Sequence, residues 1–186
     1  MTTYTSIYMR SMEIDLTKKF ESIYGEESDA IFRFCLLRVS NREQALDITQ
    51  ETFMRFWQSL QQDKKILSNR AFLFTIARRI IIDWYRKKKS LSLDAMMIGE
   101  EGRDYDVVDE NSTENKLLAG AEGRFLIEKI NNLDSSYRDT LYFRFVEDLS
   151  PPEIADIMGI SVNAASVRIN RGIMELKKIT GFNINE

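Results

Sequence analysis

The stretch Ser150–Lys178, SPPEIADIMGISVNAASVRINRGIMELKK, decides the fold of the C-terminal half. Ser150 has the spacing to cap a helix whose first residue is Pro151, where a missing amide hydrogen costs nothing, and Glu153 can reach back to complete a capping box. Ile154, Ala155, Ile157 and Met158 give this short helix one buried face, and Gly159 can take the left-handed conformation that ends it. Ser161 then caps a second helix carrying Asn163, Ser166, Arg168, Asn170 and Arg171. Two helices joined by a tight glycine-containing turn have the layout of a helix-turn-helix. The N-terminus of the second helix is electropositive and its early polar residues can enter a major groove, while Arg168, Arg171, Lys177 and Lys178 can reach phosphates. The same spacing also fits a plain helical hairpin with a solvated basic face.

Upstream of this unit, Phe125, Ile127, Ile130 and Leu133 are helix-spaced, and Tyr137, Leu141, Phe143 and Phe145 continue a second apolar surface. The first half of the chain is helical by the same criteria. Ser40 and Glu43 have capping-box spacing, and Ala45, Ile48, Thr49, Phe53, Phe56, Trp57 and Leu60 recur at steps of three and four, which predicts a helix over Glu43–Gln61. Ile31, Phe34, Cys35, Leu37 and Val39 predict a preceding helix packed antiparallel to it. A third starts near Ser68 or Asn69, with Phe72, Leu73, Ile76, Ile80, Ile81 and Trp84 forming a stripe as far as Arg86. Three helices sharing aromatic stripes make a compact bundle.

Charge is segregated between these units. From Lys64 to Lys89 the basic residues Lys64, Lys65, Arg70, Arg78, Arg79, Arg86, Lys87, Lys88 and Lys89 are opposed only by Asp83. From Asp94 to Glu114 the sign reverses, and Gly99, Gly102, Asn111 and Ser112 interrupt any apolar period, so this stretch reads as an acidic linker. The whole-chain net charge of −3 hides that contrast. In 186 residues, 44% are hydrophobic and 30% charged, the balance of a folded soluble chain. There is no histidine and only one cysteine, Cys35, which excludes Ser/His or Cys/His catalysis, a disulfide framework and a thiolate zinc site. Cys35, between Phe34 and Leu36, reads as a small core residue. No apolar run is long enough for a membrane span or a signal peptide, so a cytoplasmic location is expected.

The order of a basic, aromatic bundle, an acidic linker and a terminal helix-turn-helix resembles the sigma-70 family of RNA polymerase sigma factors, in its extracytoplasmic-function (ECF) class. Ala45–Asp47 with Gln50, Glu51, Phe53 and Trp57 resembles the family's polymerase-binding segment. Phe72, Leu73, Ile76, Ala77, Arg78, Asp83 and Arg86 resemble its promoter-melting helix, and Glu153, Ile154, Ala155, Gly159, Ile160, Ser161, Arg168, Arg171 and Leu176 its second DNA-binding domain. The fold implied is all-α: two small helical domains, residues 20–90 and 123–181, joined by a linker over 91–122 and preceded by an extension over 1–19. The resemblance implies a factor that binds core RNA polymerase, directs promoter-specific initiation and assists melting. Asp47, Gln50, Glu51 and Met54 would then meet polymerase. Lys64, Lys65, Asn69, Arg70, Arg78, Arg79, Tyr85 and Arg86 would hold the minus-10 element. Ser161, Asn163, Ala164, Ser166, Arg168, Arg171 and Lys177 would read the minus-35 duplex. Partners implied are core RNA polymerase, promoter DNA and an anti-sigma factor; no cofactor, metal or enzymatic activity is implied.

Departures from the pattern are Arg79 where Asn is frequent, Ala165 where Val is usual, and Gly172 where Ala is usual; Gly172 weakens its helix by roughly 1 kcal/mol relative to Ala. Trp84 and Phe72 read as core more readily than as base-stacking platforms. The acidic linker reads either as a solubilising tether or as a nucleic-acid mimic threading the polymerase's RNA channel. A different class of function stays open from the residues alone: a stand-alone helix-turn-helix regulator whose N-terminal bundle senses a ligand or dimerises. A hydrolase built on paired carboxylates has no nucleophile or metal-ligand constellation to support it.

Overall fold

The computed structural model describes the backbone of residues 2–95 and 121–180 and the side chains of residues 14–88 and 125–180. Among these, the chain forms seven helices and no strand: α1 (Thr2–Val39), α2 (Arg42–Gln61), α3 (Asn69–Ala95), α4 (Ala121–Asn131), α5 (Ser135–Phe145), α6 (Pro151–Met158) and α7 (Val162–Thr180). The expected acidic linker lies outside the described residues except at its edges, where α3 continues to Ala95 and α4 begins at Ala121.

One unbroken helix, α1, crosses the expected boundary between residues 19 and 20. Its stripe of Leu16, Phe20, Ile23, Ala30, Phe34 and Leu37 keeps steps of three, four and seven and faces the bundle. Phe20 meets Phe53, Phe56 and Trp57 with ring centroids at 6.2, 6.3 and 5.2 Å, while Cys35, further along α1, lies beside Thr49, so α1 and α2 run antiparallel as the apolar spacing predicts. Cys35 is fully buried and its thiol is pushed up to about 12 by that burial, the chemistry of a core residue.

The start of α2 differs from the predicted cap. Ser40 takes a left-handed φ of +50° and donates its amide to the Leu36 carbonyl, closing α1. A residue in that conformation cannot also cap the next helix, so Asn41, in extended backbone, accepts from the Gln44 amide at 2.8 Å. The buried face of α2 carries Thr49 and Thr52 among its apolar residues, and each hydroxyl donates to a carbonyl one turn back, at 2.7 Å. The helix α3 begins at Asn69, within the predicted start, and the Ser68 hydroxyl before it accepts from the Ala71 amide.

In the C-terminal half the local signals hold. The Glu153 carboxylate accepts from the Ser150 amide at 3.0 Å and from its hydroxyl at 2.6 Å; Gly159 ends α6 at φ +66°; Ser161 accepts from the Ala164 amide at 3.2 Å. Phe125 and Phe145, expected on apolar surfaces, are each half exposed. Gly172 is explained by packing: a Cβ there would lie 3.0 to 3.2 Å from three side-chain carbons of the fully buried Leu141, so the glycine lets α7 approach α5.

A small core of Ile130, Leu133 and Leu141 holds α4, α5 and α7 together. The opposite face of the C-terminal unit, with Tyr142, Phe143, Leu149, Ile154, Ala155 and Ile157, joins the core of α1–α3. The two helical units therefore share one continuous apolar interior. Its centre is aromatic, with Phe34, Phe74 and Phe143 mutually in contact at centroid separations of 5.2 to 5.5 Å.

Candidate polymerase and nucleic-acid interfaces

The outer face of α2 presents Asp47, Gln50 and Met54 to solvent with Glu51 half-buried beside them, because Ala45, Ile48, Thr52 and Phe53 turn the other face inward. Leu46 and Met54 expose 41% and 57% of their surface, so this acidic face also has an apolar component. Glu51 is not left to repel Asp47 alone: Arg55, one turn on, donates to it at 2.7 Å, a pair that sequence reasoning passed over.

The expected minus-10 residues divide into two groups. Lys64, Lys65, Arg79 and Arg86 are exposed, and Asn69 is intermediate at the first position of α3. Arg70 and Arg78 instead face the C-terminal unit. Arg70 bonds to Glu27 of α1 at 2.5 Å and to Glu147, just beyond α5, at 2.5 Å. Arg78 donates to Asp139 of α5 at 3.2 Å, and Asp139 also pairs with Arg38 at 2.8 Å. Tyr85 donates its hydroxyl to the Arg38 carbonyl and packs its ring against Trp84. Trp84 and Phe72 pack on the core, with Lys88 over the Trp84 ring.

These ion pairs lie in an environment that penalises charge. Arg38 is 9% exposed, its guanidinium lying 5.1 and 5.2 Å from the Phe34 and Tyr142 ring centroids, which supply a cation–π environment. Glu27 occupies the inward stripe of α1, and burial pushes its carboxyl above the ordinary value against the pull of Arg70. The Tyr142 phenol is held well above its ordinary value by burial and by Glu147, to which it donates at 2.8 Å. Arg38, Glu27, Asp139 and Glu147 were all missed from sequence. Beyond the Arg78–Asp139 pair the seam opens into a cavity of about 360 Å³ between α1, α3 and α5, walled by Leu37, Ile81, Ile82, Ser135 and Arg138.

The expected minus-35 residues gather at the N-terminal half of α7. Ser161, Asn163 and Arg171 are exposed, Ala164, Ser166 and Arg168 are half-buried, and Lys177 is exposed in the last turn. Ala165, Ile169 and Gly172 turn inward and fix which side of α7 faces out. Arg168 lies close enough to Asp134 to help the Ser136 hydroxyl and amide hold that carboxyl below its ordinary value. Hydroxyl, amide and guanidinium groups along one helix face can contact base edges, and a helix N-terminus can meet phosphate.

Residues 23–91 match the Sigma-70 region 2 family and residues 126–176 match the Sigma-70 region 4 family. Among characterised proteins, the chain is 30% identical over 163 residues to the ECF RNA polymerase sigma factor SigW of Bacillus subtilis, covering 86% of this chain and 87% of that one. It is 27% identical to the RNA polymerase sigma factor YlaC of the same organism, over 85% and 90% of the two chains. Among solved structures, the fold is similar to the sigma factor RpoE crystallised with the anti-sigma factor NepR from Bartonella quintana, with a TM-score of 0.67, 20% identity and coverage of 91% and 99%. It is also similar to CnrH in complex with the cytosolic domain of CnrY, with a TM-score of 0.60, 20% identity and 89% coverage of each. With both domain families matched in order and most of its length aligned to SigW, the chain belongs to the ECF class of sigma-70 family RNA polymerase sigma factors.

Proposed function

We propose that this protein binds core RNA polymerase in the cytoplasm and directs it to promoters through the residues assembled on α2, α3 and α7. The observation that carries this reading is the order of a region 2 unit and a region 4 unit in one chain, each presenting a polar face from a helix whose other face is core. Asp47, Gln50, Glu51 and Met54 form the polymerase contact, where carboxylates beside apolar carbon suit a basic amphipathic helix. Lys64, Lys65 and Asn69 lead into α3, where Arg70, Arg78, Arg79 and Arg86 supply backbone contacts and Tyr85 a planar group for the separated minus-10 strand. Ser161, Asn163, Ala164, Ser166 and Arg168 read minus-35 base edges, with Arg171 and Lys177 on phosphates. An anti-sigma factor is a further partner on this reading. The protein supplies no reaction step of its own; nucleotide addition belongs to the polymerase.

Transcription in vitro with core polymerase on a promoter library tests the reading. Specific initiation that depends on the added protein supports it, and tight duplex binding without polymerase and without initiation would replace it with the stand-alone regulator. Asp47→Lys is expected to abolish polymerase binding while leaving the helical circular-dichroism spectrum intact, because Asp47 is exposed and makes no core contact. Unchanged pull-down affinity would remove α2 from the interface.

A further inference from the structure

The cavity of about 360 Å³ between α1, α3 and α5 joins apolar walls to an excess of positive charge. Leu37 of α1 and Ile81, Ile82 and Tyr85 of α3 supply most of the carbon. Four guanidinium groups, those of Arg38, Arg78, Arg86 and Arg138, share the wall with one carboxylate, that of Asp139. The four are not equivalent. Arg86 is 73% exposed and lies 3.8 Å from Asp83 of its own helix, which puts it at the mouth. Arg78 and Arg38 divide the Asp139 carboxylate: Arg78 Nε reaches Oδ2 at 3.2 Å, and Arg38 Nε and Nη2 lie 3.0 and 2.8 Å from Oδ1. Arg138 is buried and donates from Nη2 to the Leu133 carbonyl at 3.0 Å. Arg38 is 9% exposed, and its buried Nη1 meets no hydrogen-bond acceptor among the described residues. The Phe34 and Tyr142 rings attract the Arg38 charge without giving that donor an acceptor. One carboxylate divided between two arginines leaves their positive charge half balanced, and a buried cation with an open donor is costly until an anion completes it.

We propose that this cavity is a small-molecule site for an organic acid, a carboxylate head on an aromatic or branched apolar body. The head completes the Arg38 guanidinium, whose planar fork of donors matches a carboxylate, with Arg138 adding positive charge from α5. The body lies against Leu37, Ile81, Ile82 and the Tyr85 ring. A carboxylate suits these walls better than a phosphate, because a dianionic head would leave further oxygens unpaired against aliphatic carbon. A volume of this size is at the small end of ligand pockets and has room for about two rings. The occupant touches α1 and α3 on one side and α5 on the other, so its binding adds to the stability of the seam it fills. The groups that define the site, Arg38, Arg138, Leu37, Ile81 and Ile82, carry no part of the proposed polymerase or promoter contacts. Ligand binding can therefore fail while the sigma-factor reading stands, and the reverse.

The full chain is titrated calorimetrically with para-benzoylbenzoate, a photoreactive carboxylate with two rings, and with its neutral counterpart para-(hydroxymethyl)benzophenone. Saturable one-to-one binding of the acid is expected below about 1 mM, roughly tenfold or more tighter than the alcohol. Irradiation of the bound acid followed by peptide mass spectrometry should place the label within residues 34–38, 78–86 or 135–139. Ile82→Trp fills the cavity from a half-buried wall position and should abolish both the binding and the label. Arg38→Met keeps the side-chain bulk but removes the donors, and should weaken the acid about tenfold while changing the alcohol by less than about twofold. The labelling is done on the wild-type protein and so does not depend on either variant's folding. No saturable binding of the acid, equal affinity for acid and alcohol, or a label outside those segments overturns the proposal. So does unchanged acid affinity in a folded Ile82→Trp or Arg38→Met protein.

Discussion

The helices α3 and α7 both carry basic and polar groups expected to meet DNA, but the fold treats them differently. On α7 the outer face carries the polar residues from Ser161 to Lys177, because Ala165, Ile169 and Gly172 turn inward, Gly172 against Leu141 of α5. On α3 the apolar stripe lies beside Arg70 and Arg78, so the core that buries Phe74 also draws these two arginines to carboxylates of the C-terminal unit. One set of expected DNA contacts is exposed along its helix, whereas the other is divided, with Lys64, Lys65, Arg79 and Arg86 exposed and Arg70 and Arg78 turned to the C-terminal unit. A basic residue on a helix is thus available or withheld according to the apolar residues one turn away from it.

The largest test of that contrast is Phe74→Ala. Phe74 is fully buried between Phe34 and Phe143, and its truncation should cost about 3–5 kcal/mol and weaken both units together, read as a shift of the whole urea transition. Leu141→Ala removes a side chain of comparable burial from the C-terminal unit's own small core. It should cost about 2–5 kcal/mol and leave α1–α3 folded, as followed by the two tryptophans, both of which lie there. If the two variants behave alike, the units do not differ in the way the shared interior implies.

On the open surface, Arg168→Ala should lose about 1–3 kcal/mol of discrimination at one minus-35 base pair in competition binding, whereas Arg171→Ala should weaken all sites alike and reduce the salt slope by about one. Equal losses for every sequence with Arg168→Ala would make it a second phosphate contact.

Smaller effects follow from the caps. The Asp134 and Glu153 carboxyls are held below their ordinary values of 3.8 and 4.5, chiefly by the Ser136 and Ser150 hydroxyls. A depressed carboxyl stabilises the fold above its unfolded value and loses that contribution as pH falls toward the folded one, so the C-terminal unit should lose stability below about pH 4, and Asp134→Ala should remove about 1 kcal/mol and flatten that dependence. Glu27, raised by burial, has the opposite sign: its contribution declines as pH climbs from 4.5 through its raised value. Thermal melts between pH 3 and 7 separate the two. Smallest is Gly172→Ala, where a gain of roughly 1 kcal/mol in helix propensity is opposed by crowding against Leu141. The net change should be under about 1 kcal/mol, and in a Leu141→Ala background the same substitution should become stabilising, read as a non-additive double-mutant cycle.

Much of this architecture was legible before any coordinates. The capping box at Ser150 and Glu153, the Gly159 stop and the Ser161 cap are hydrogen bonds spanning three or four residues, so the spelling of the chain is sufficient to place them. The apolar steps of α2, and Cys35 as core, follow from the same short-range periodicity. Ser40 was misread as a cap because its spacing to Glu43 fits, and only its left-handed backbone, forced by the closure of α1, excludes it. The acidic partners of Arg70 and Arg78 were not read from the sequence, because nothing local points to them: Arg70 and Glu147 are 77 residues apart, and Arg78 and Asp139 are 61 apart.

Local sequence thus determined which segments are helices, where α6 starts and stops and where α7 starts, and which face of each is apolar, since backbone hydrogen bonding and side-chain periodicity act within a few residues. Tertiary packing alone decided which charged groups face solvent and which face each other, because that depends on how the apolar faces of α3, α5 and α6 come together across the chain.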